Sequence, residues 1–386
     1  MMLRRNAIVS PIGRKAAGLF VKMVIVWAAL GLAGDFQVSL LGSAEIPKVK
    51  IGLLLPPDEP QGRAVLEGVL LARDHANASG TNAVEVFIRG RDGQWGADGV
   101  EAARMIIDDA VDGLIAPPDG AATHLALQVS GRTQVPVVSL CPDGSIGRTG
   151  VPWNLRLVAC TEDEGRTLFQ GIGAGAAIHY VAIVPRGRAG REISSDLARA
   201  ARDSKAISFQ TVEAGVNLTN LNGLEARVLE KGPRVVLLWL PPKPAGAVAK
   251  ALRERGFKGL LAGPCYLNSE EFIQSAGNAF EGVIVPCVAN ETNQGGVEKF
   301  KDSFRLQWHH EADEISVMSY DAVMLLSCLM RRVDFRSPPH RLPEDFCWTG
   351  VSGLVRFNRD GNRKVRLSLM QGHNRAFRPF QSAQRD

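Results

Sequence analysis

From Lys48 onward the chain alternates short unbroken apolar runs with longer stretches in which apolar residues recur every three or four positions. The short runs predict strands at Val49 to Leu55, Val84 to Ile88, Gly113 to Ala116, Val135 to Leu140, Val181 to Val184, Ile207 to Val212, Val235 to Leu238, Gly259 to Ala262 and Gly282 to Val285, the last stopped by Pro286. Runs such as Val235-Val236-Leu237-Leu238 lack polar alternation, the mark of strands buried on both faces of a parallel sheet, so helices must cover both faces. Between the strands, Ala64, Leu66, Val69, Leu70 and Ala72 repeat at helical spacing with Gly80 as a stop. Thr161-Glu162-Asp163-Glu164 has the form of a capping box, with Thr161 as N-cap and Glu164 three residues on, before Leu168 and Phe169. After Glu311 the order changes to a long amphipathic helix over Ile315 to Met330, a Pro-rich link at Ser337-Pro338-Pro339, and a hairpin signal at Asp360-Gly361 between two strand-like runs. Residues beyond Arg378 read as a loose tail. The pattern is that of an α/β protein.

A length of 386 residues suits two lobes better than one α/β unit. Hydrophobic content of 45% with 22% charged residues is that of a folded globular protein, neither disordered nor multiply membrane-spanning. The net charge of +5 is located rather than spread: Arg4, Arg5, Arg14, Lys15 and Lys22 all precede the first acid, Asp35. Beyond residue 44 basic and acidic residues nearly balance, which excludes a basic nucleic-acid-binding face. Residues 1–44 have the parts of a signal peptide: a basic start, an apolar run from Met23 to Gly34, and the small-residue site Gly42-Ser43-Ala44, with cleavage expected after Ala44. The apolar run is short for a membrane span, and a retained anchor over residues 23–44 is the alternative. Export places the six cysteines, Cys141, Cys160, Cys265, Cys287, Cys328 and Cys347, in a compartment that permits disulfides; six buried free thiols are the other reading, and no Cys-x-x-Cys supports a zinc ribbon or a thioredoxin-like motif.

The frequent hydrolase, kinase and metalloprotease signatures are absent. Gly171-Ile172-Gly173-Ala174-Gly175 closes a helix and precedes a strand, the reverse of a dinucleotide-binding loop, and reads as a helix stop. His309-His310-Glu311 offers metal-type ligands, but neighbours on a helix point about 100° apart and do not share one ion. No cofactor is expected. In parallel sheets ligands sit at the carboxyl ends of strands. That rule selects Arg91-Asp92-Gly93-Gln94-Trp95, Pro117-Pro118-Asp119-Gly120, Cys141-Pro142-Asp143-Gly144-Ser145, Pro185-Arg186-Gly187-Arg188 and Pro264-Cys265-Tyr266-Leu267-Asn268, each of which also reads as a plain polar turn.

In order along the chain, Val49-Lys50-Ile51-Gly52-Leu53-Leu54-Leu55, Leu66-Glu67-Gly68, Gly113-Leu114-Ile115-Ala116-Pro117, Val135-Pro136-Val137-Val138-Ser139, Asn154-Leu155-Arg156, Ala276-Gly277, Phe280-Glu281-Gly282-Val283, Ser319-Tyr320-Asp321-Ala322 and Gly350-Val351-Ser352-Gly353-Leu354-Val355-Arg356-Phe357 resemble the leucine/isoleucine/valine-binding family of type I periplasmic binding proteins. The resemblance implies two doubly wound Rossmann-like lobes joined by three crossovers, near Cys160, Val288 and Arg332, with residues 45–159 and 289–331 in the first lobe and 160–288 and 332–378 in the second. It implies a periplasmic or other extracytoplasmic binder that closes on its ligand by a hinge and passes it to an ABC-type permease, with no catalytic residues. The family's grip on an amino acid is not kept: Gly120, beside Asp119, stands where members often place a serine, and Asp143 falls near an expected threonine. Asp119 and Asp143 repel a ligand carboxylate unless a donor intervenes, and Arg186 and Arg188 are the candidate donors. Trp95 and Tyr266 are candidate stacking surfaces. The expected ligand is therefore a small polar molecule other than a simple branched-chain amino acid. Two alternatives are a membrane-anchored sensory ectodomain and an α/β enzyme using Asp92, Asp119 or Asp143 as a base.

Overall fold

The computed structural model describes residues 48–55, 60–79, 83–90, 97–172, 178–202, 207–215, 223–288, 294–332, 335 and 341–380. The leader, Asp92 and Trp95 lie outside them, as do the Pro-rich link and residues 381–386.

Two sheets organise the chain. In the first, β1 (Val49–Leu54), β2 (Val84–Arg89), β3 (Gly113–Ala116), β4 (Val137–Ser139) and β5 (Asn154–Arg156) run parallel in the order β2-β1-β3-β4-β5. The second has the order β14-β13-β10-β9-β8-β6-β7. Its parallel strands are β6 (Ile178–Val184), β7 (Ile207–Glu213), β8 (Val235–Leu238), β9 (Leu260–Ala262) and β10 (Ile284–Val288). An antiparallel hairpin, β13 (Leu367–His373) and β14 (Ala376–Pro379), extends one edge. Ile51, Leu53, Leu114, Ile115, Val236 and Leu237 are fully buried, as strands covered on both faces require.

The helices that cover the first sheet are α1 (Pro60–Ala78), α2 (Ala97–Ile107), α3 (Gly120–Thr133) and, from late in the chain, α10 (Glu314–Met330). Around the second lie α4 (Thr161–Ile172), α5 (Arg188–Arg202), α6 (Leu224–Leu229), α7 (Pro242–Glu254) and α8 (Glu270–Ala276); α9 (Gln294–Trp308) follows β10 and packs Phe300 and Phe304 near Leu71 of α1. A Cβ at Gly68 would stand 2.3 Å from the Ser316 carbonyl oxygen, so glycine is what lets α1 and α10 meet.

Four local outcomes differ from the sequence pattern. Pro286 lies inside β10 instead of ending it. The Ile284 carbonyl accepts from Gly263 N–H on the β9 side, so two residues on the Pro286 nitrogen points the same way, where β9 has already ended and no donor is needed. β5 is a strand the apolar runs do not show, because its Asn154 and Arg156 are buried polar residues. Asp360-Gly361 turns only a single bridge, Phe357 to Arg363, with Gly361 at φ 73°. The full hairpin turns instead at Asn374-Arg375, with φ 50° and 60°, the signature of a primed turn.

The third crossover also moves. Phe346, Val355, and the partly buried Trp348 and Phe357 pack into the core of the first sheet, alongside the short pair β11 (Trp348–Gly350) and β12 (Gly353–Val355). The chain reaches the second sheet only between Arg363 and Leu367, not near Arg332, so 341–357 belong with the first lobe. Arg363 pins this passage. It is 4% exposed and donates to the carbonyls of Ser352 at 2.9 Å and Leu354 at 3.1 Å and to Ser352 Oγ at 2.9 Å.

Candidate functional site

The carboxyl ends of β3 and β4 carry the two acids the sequence singles out, and each is built into a helix start. Asp119 caps α3 by accepting the Ala122 N–H at 2.7 Å. Asp143 caps the one-turn 3-10 helix Gly144–Arg148, accepting from Ser145 N–H at 2.8 Å and Ser145 Oγ at 2.7 Å. The two loops touch: a Cβ on Gly120 would lie 2.8 Å from Asp143 Oδ2. His124 of α3 joins them, its Nε2 2.8 Å from Ser145 Oγ and 3.9 Å from Asp143 Oδ2.

The second lobe closes on this corner through α5. Asp196, fully buried, accepts the Gly144 N–H at 2.8 Å across the lobe boundary and is held on its own side by Arg199. Arg199 in turn donates to Glu162 at 2.9 Å. Arg188 and Glu192 act electrostatically on His124, whose pKa is lowered by burial first, with Arg188 adding to that and Asp143 and Glu192 opposing it. A Cβ on Gly190 would overlap the Pro185 carbonyl, which fixes the tight entry to α5. Arg186 and Arg188 are exposed at that entry. The structure thus gathers Asp119, Gly120, Asp143 and Arg188 in one corner with Arg186 close by in sequence.

A cavity of about 470 Å³ adjoins the corner on the crossover side, lined by both lobes and the connecting segment, including Arg148, Arg156, Asp163, Arg166, Asp360 and Lys364. Arg156 is 3% exposed; its Nη1 donates to the Asp143 carbonyl at 2.7 Å, and its Nε is buried without a hydrogen-bond partner. Charges of both signs around such a volume suit a small polar or zwitterionic molecule.

Tyr266 lies apart from that corner, half-buried, in a second cluster at the lobe boundary. Glu164, 4% exposed, accepts the Cys265 N–H at 2.8 Å. Glu314, the first residue of α10, contacts Cys265 Sγ, and Cys287 lies beside both. Burial pushes Glu164 up to about 8, with Glu314 and Asp163 adding to the shift, and pushes Glu314 up to about 7. Burial also raises the Cys265 thiol and, with Glu164, the Tyr266 phenol. The capping-box reading of Glu164 therefore gives way. Cys160 Sγ donates to Asp163 Oδ2 at 3.0 Å at the start of α4, while Glu164 turns inward to an amide 101 residues away in sequence.

All six cysteines are free thiols in the structure, against the disulfide reading. The metal reading of His309-His310-Glu311 gives way to separate local contacts: His310 Nε2 stands 3.0 Å from Glu67, Glu311 pairs with Arg305 at 2.6 Å, and His309 turns out of the helix at φ 61°. Among the described residues no helix is long and apolar enough to cross a membrane.

Two open α/β sheets joined by three passages, with strand carboxyl ends meeting at a shared corner, define the type I periplasmic binding fold. A family model described as periplasmic binding protein matches residues 48–341, and the chain belongs to that family, as a binding protein and not an enzyme. No curated protein matches it by sequence at a significant level. Its fold is similar to that of the leucine-binding protein LivK of Thermotoga maritima, at 17% identity and TM-score 0.73 over 86% of this chain and 98% of that one. It is similar to the branched-chain amino acid binding protein LivJ of Streptococcus pneumoniae in complex with isoleucine, at 18% identity and TM-score 0.72 over 86% and 98%. A solute-binding protein of R. palustris in complex with benzoate is similar at 17% identity and TM-score 0.75 over 86% and 95%.

Proposed function

We propose that the chain is an extracytoplasmic solute-binding protein that holds a small polar, carboxylate-bearing molecule between its lobes and delivers it to an ABC-type permease. The observation that carries this reading is the meeting of the Asp143-Gly144 loop with α5, which brings the ligand-type ends of two parallel sheets to one corner. The ligands named for similar structures, isoleucine, benzoate and 3,4-dihydroxybenzoic acid, share a carboxylate and little else. Arg186, Arg188 and Arg156 supply donors for such a group. The Asp119 and Asp143 carboxylates, engaged by backbone N–H groups, stand close by and favour a ligand that also carries a donor or a cation. The solute is therefore not a plain branched-chain amino acid, and export follows from the leader.

Native mass spectrometry of the protein isolated from its own compartment, followed by calorimetric titration with the compound released, tests this directly. The expected result is one carboxylate-bearing solute per chain, weakened at least about tenfold by Arg188→Ala. Tight leucine or valine binding, or no retained compound together with no thermal shift across amino acids and aromatic acids, defeats the proposal.

A further inference from the structure

The Cys265 cluster lies outside the solute corner, and its composition asks for a cation. Cys265 follows β9 by three residues, Cys287 lies in β10, and the two strands pair at Ala262 and Ile284, so both thiols stand at the same level at neighbouring strand ends. Glu314 enters from the other lobe at the start of α10. One donor atom from each of these three residues falls within 4.8 Å of the others. Spacing of that order is what ligands sharing one ion require, with metal–sulfur near 2.3 Å and metal–oxygen near 2.0–2.2 Å. The surroundings are those of a metal centre's outer layer: Asn268 Nδ2 lies 3.9 Å from Cys287 Sγ, and Glu164 holds the Cys265 amide. Two carboxyls and two thiols thus share one largely buried volume, with Arg363 acting on Glu314 from outside the cluster.

We propose that Cys265, Cys287 and Glu314 bind a thiophilic divalent cation, zinc by its ligand set, that ties the two lobes together beside the second crossover. Two thiolates and one carboxylate select a borderline-soft ion over magnesium or calcium. Binding displaces the two thiol protons, and the carboxyl proton where Glu314 holds one, to solvent, forms two metal–sulfur bonds and one metal–oxygen bond, and leaves the fourth tetrahedral position to water. Because Glu314 belongs to the first lobe and both cysteines to the second, the ion fixes the lobes in the relation the structure shows.

The test uses the full chain, stripped by chelator under a phosphine reductant and titrated with cobalt(II) and then zinc. The expected result is one cobalt per chain with a thiolate-to-cobalt charge-transfer absorption that zinc abolishes. Cys265→Ser and Cys287→Ser remove the absorption. Glu314→Gln weakens zinc at least about tenfold, and Cys328→Ser, remote from the cluster, leaves both readouts unchanged. The wild-type spectrum decides the matter even if a variant does not fold. Three results overturn the proposal: no charge-transfer absorption in the folded wild type, an absorption that survives Cys265→Ser, or a Cys265–Cys287 disulfide in protein isolated from its native compartment without reductant.

Discussion

Replacing Asp196 with alanine removes the acceptor that joins the lobes at the Asp143-Gly144 loop. Asp196 is fully buried, and its bond from Gly144 N–H at 2.8 Å is charge-assisted. Such bonds contribute about 1.5–3 kcal/mol net. Breaking a buried ion pair outright costs about 3–5 kcal/mol, but Arg199 keeps Glu162 and Ser195 as partners, so its charge is not orphaned. The expected loss is therefore about 2–3 kcal/mol, read from the shift in urea midpoint at unchanged slope. Gly144→Ala attacks the same contact from the other lobe, since its Cβ would stand 2.7 Å from both Asp196 oxygens. Each single variant exposes the Gly144 amide to hydrogen exchange, and the double variant loses less than the sum of the two by about 1 kcal/mol or more. An Asp196→Ala loss below about 0.5 kcal/mol, or strict additivity with Gly144→Ala, would refute the interlobe contact.

Two further outcomes follow from groups described above. Arg363→Met leaves the buried Ser352 carbonyl and the part-buried Leu354 carbonyl without their donor and is expected to cost about 2–3 kcal/mol. Arg363→Lys recovers only part of that, because an ammonium cannot reproduce the fork, and urea midpoints of both variants measure it. His124 has a folded pKa below its ordinary 6.5, so the unfolded chain binds more protons between the two values. Its contribution is therefore fully present above about pH 6.5 and is lost as pH falls through the folded value. The stability difference between wild type and His124→Gln, followed from pH 7.5 to 5, narrows in wild type's disfavour; a flat difference contradicts the burial of the imidazole.

The strands β3 and β8 are legible in sequence because burial on both faces leaves only apolar residues and one glycine in them, and β1 nearly so, with Lys50 its one polar residue. β5 is not, since Asn154 and Arg156 are there to hold the neighbouring loop through Ile146 and Asp143, a requirement that exists only once the sheet is assembled. The rule about where parallel strands end selects Asp119 and Asp143, whose loops do meet, without revealing that both are helix caps. Asp196 and His124 were missed because they lie within helices whose faces are set by the opposite lobe. Glu164 carries a local capping signature that masks its distant partner. Glu314 sits 49 residues beyond Cys265, and nothing in either neighbourhood announces the other.

The return of the chain to its first sheet sets an order on synthesis. Strands β6 to β10 lie in one continuous stretch from Ile178 to Val288, while the core of the first sheet takes Met318, Leu326 and Val355 from the far end of the polypeptide. The second sheet's parallel strands are thus complete in the nascent chain while the first lobe still lacks α10 and β12. A chain emerging from its N-terminus cannot seal the lobe it begins with until nearly all of it has been made.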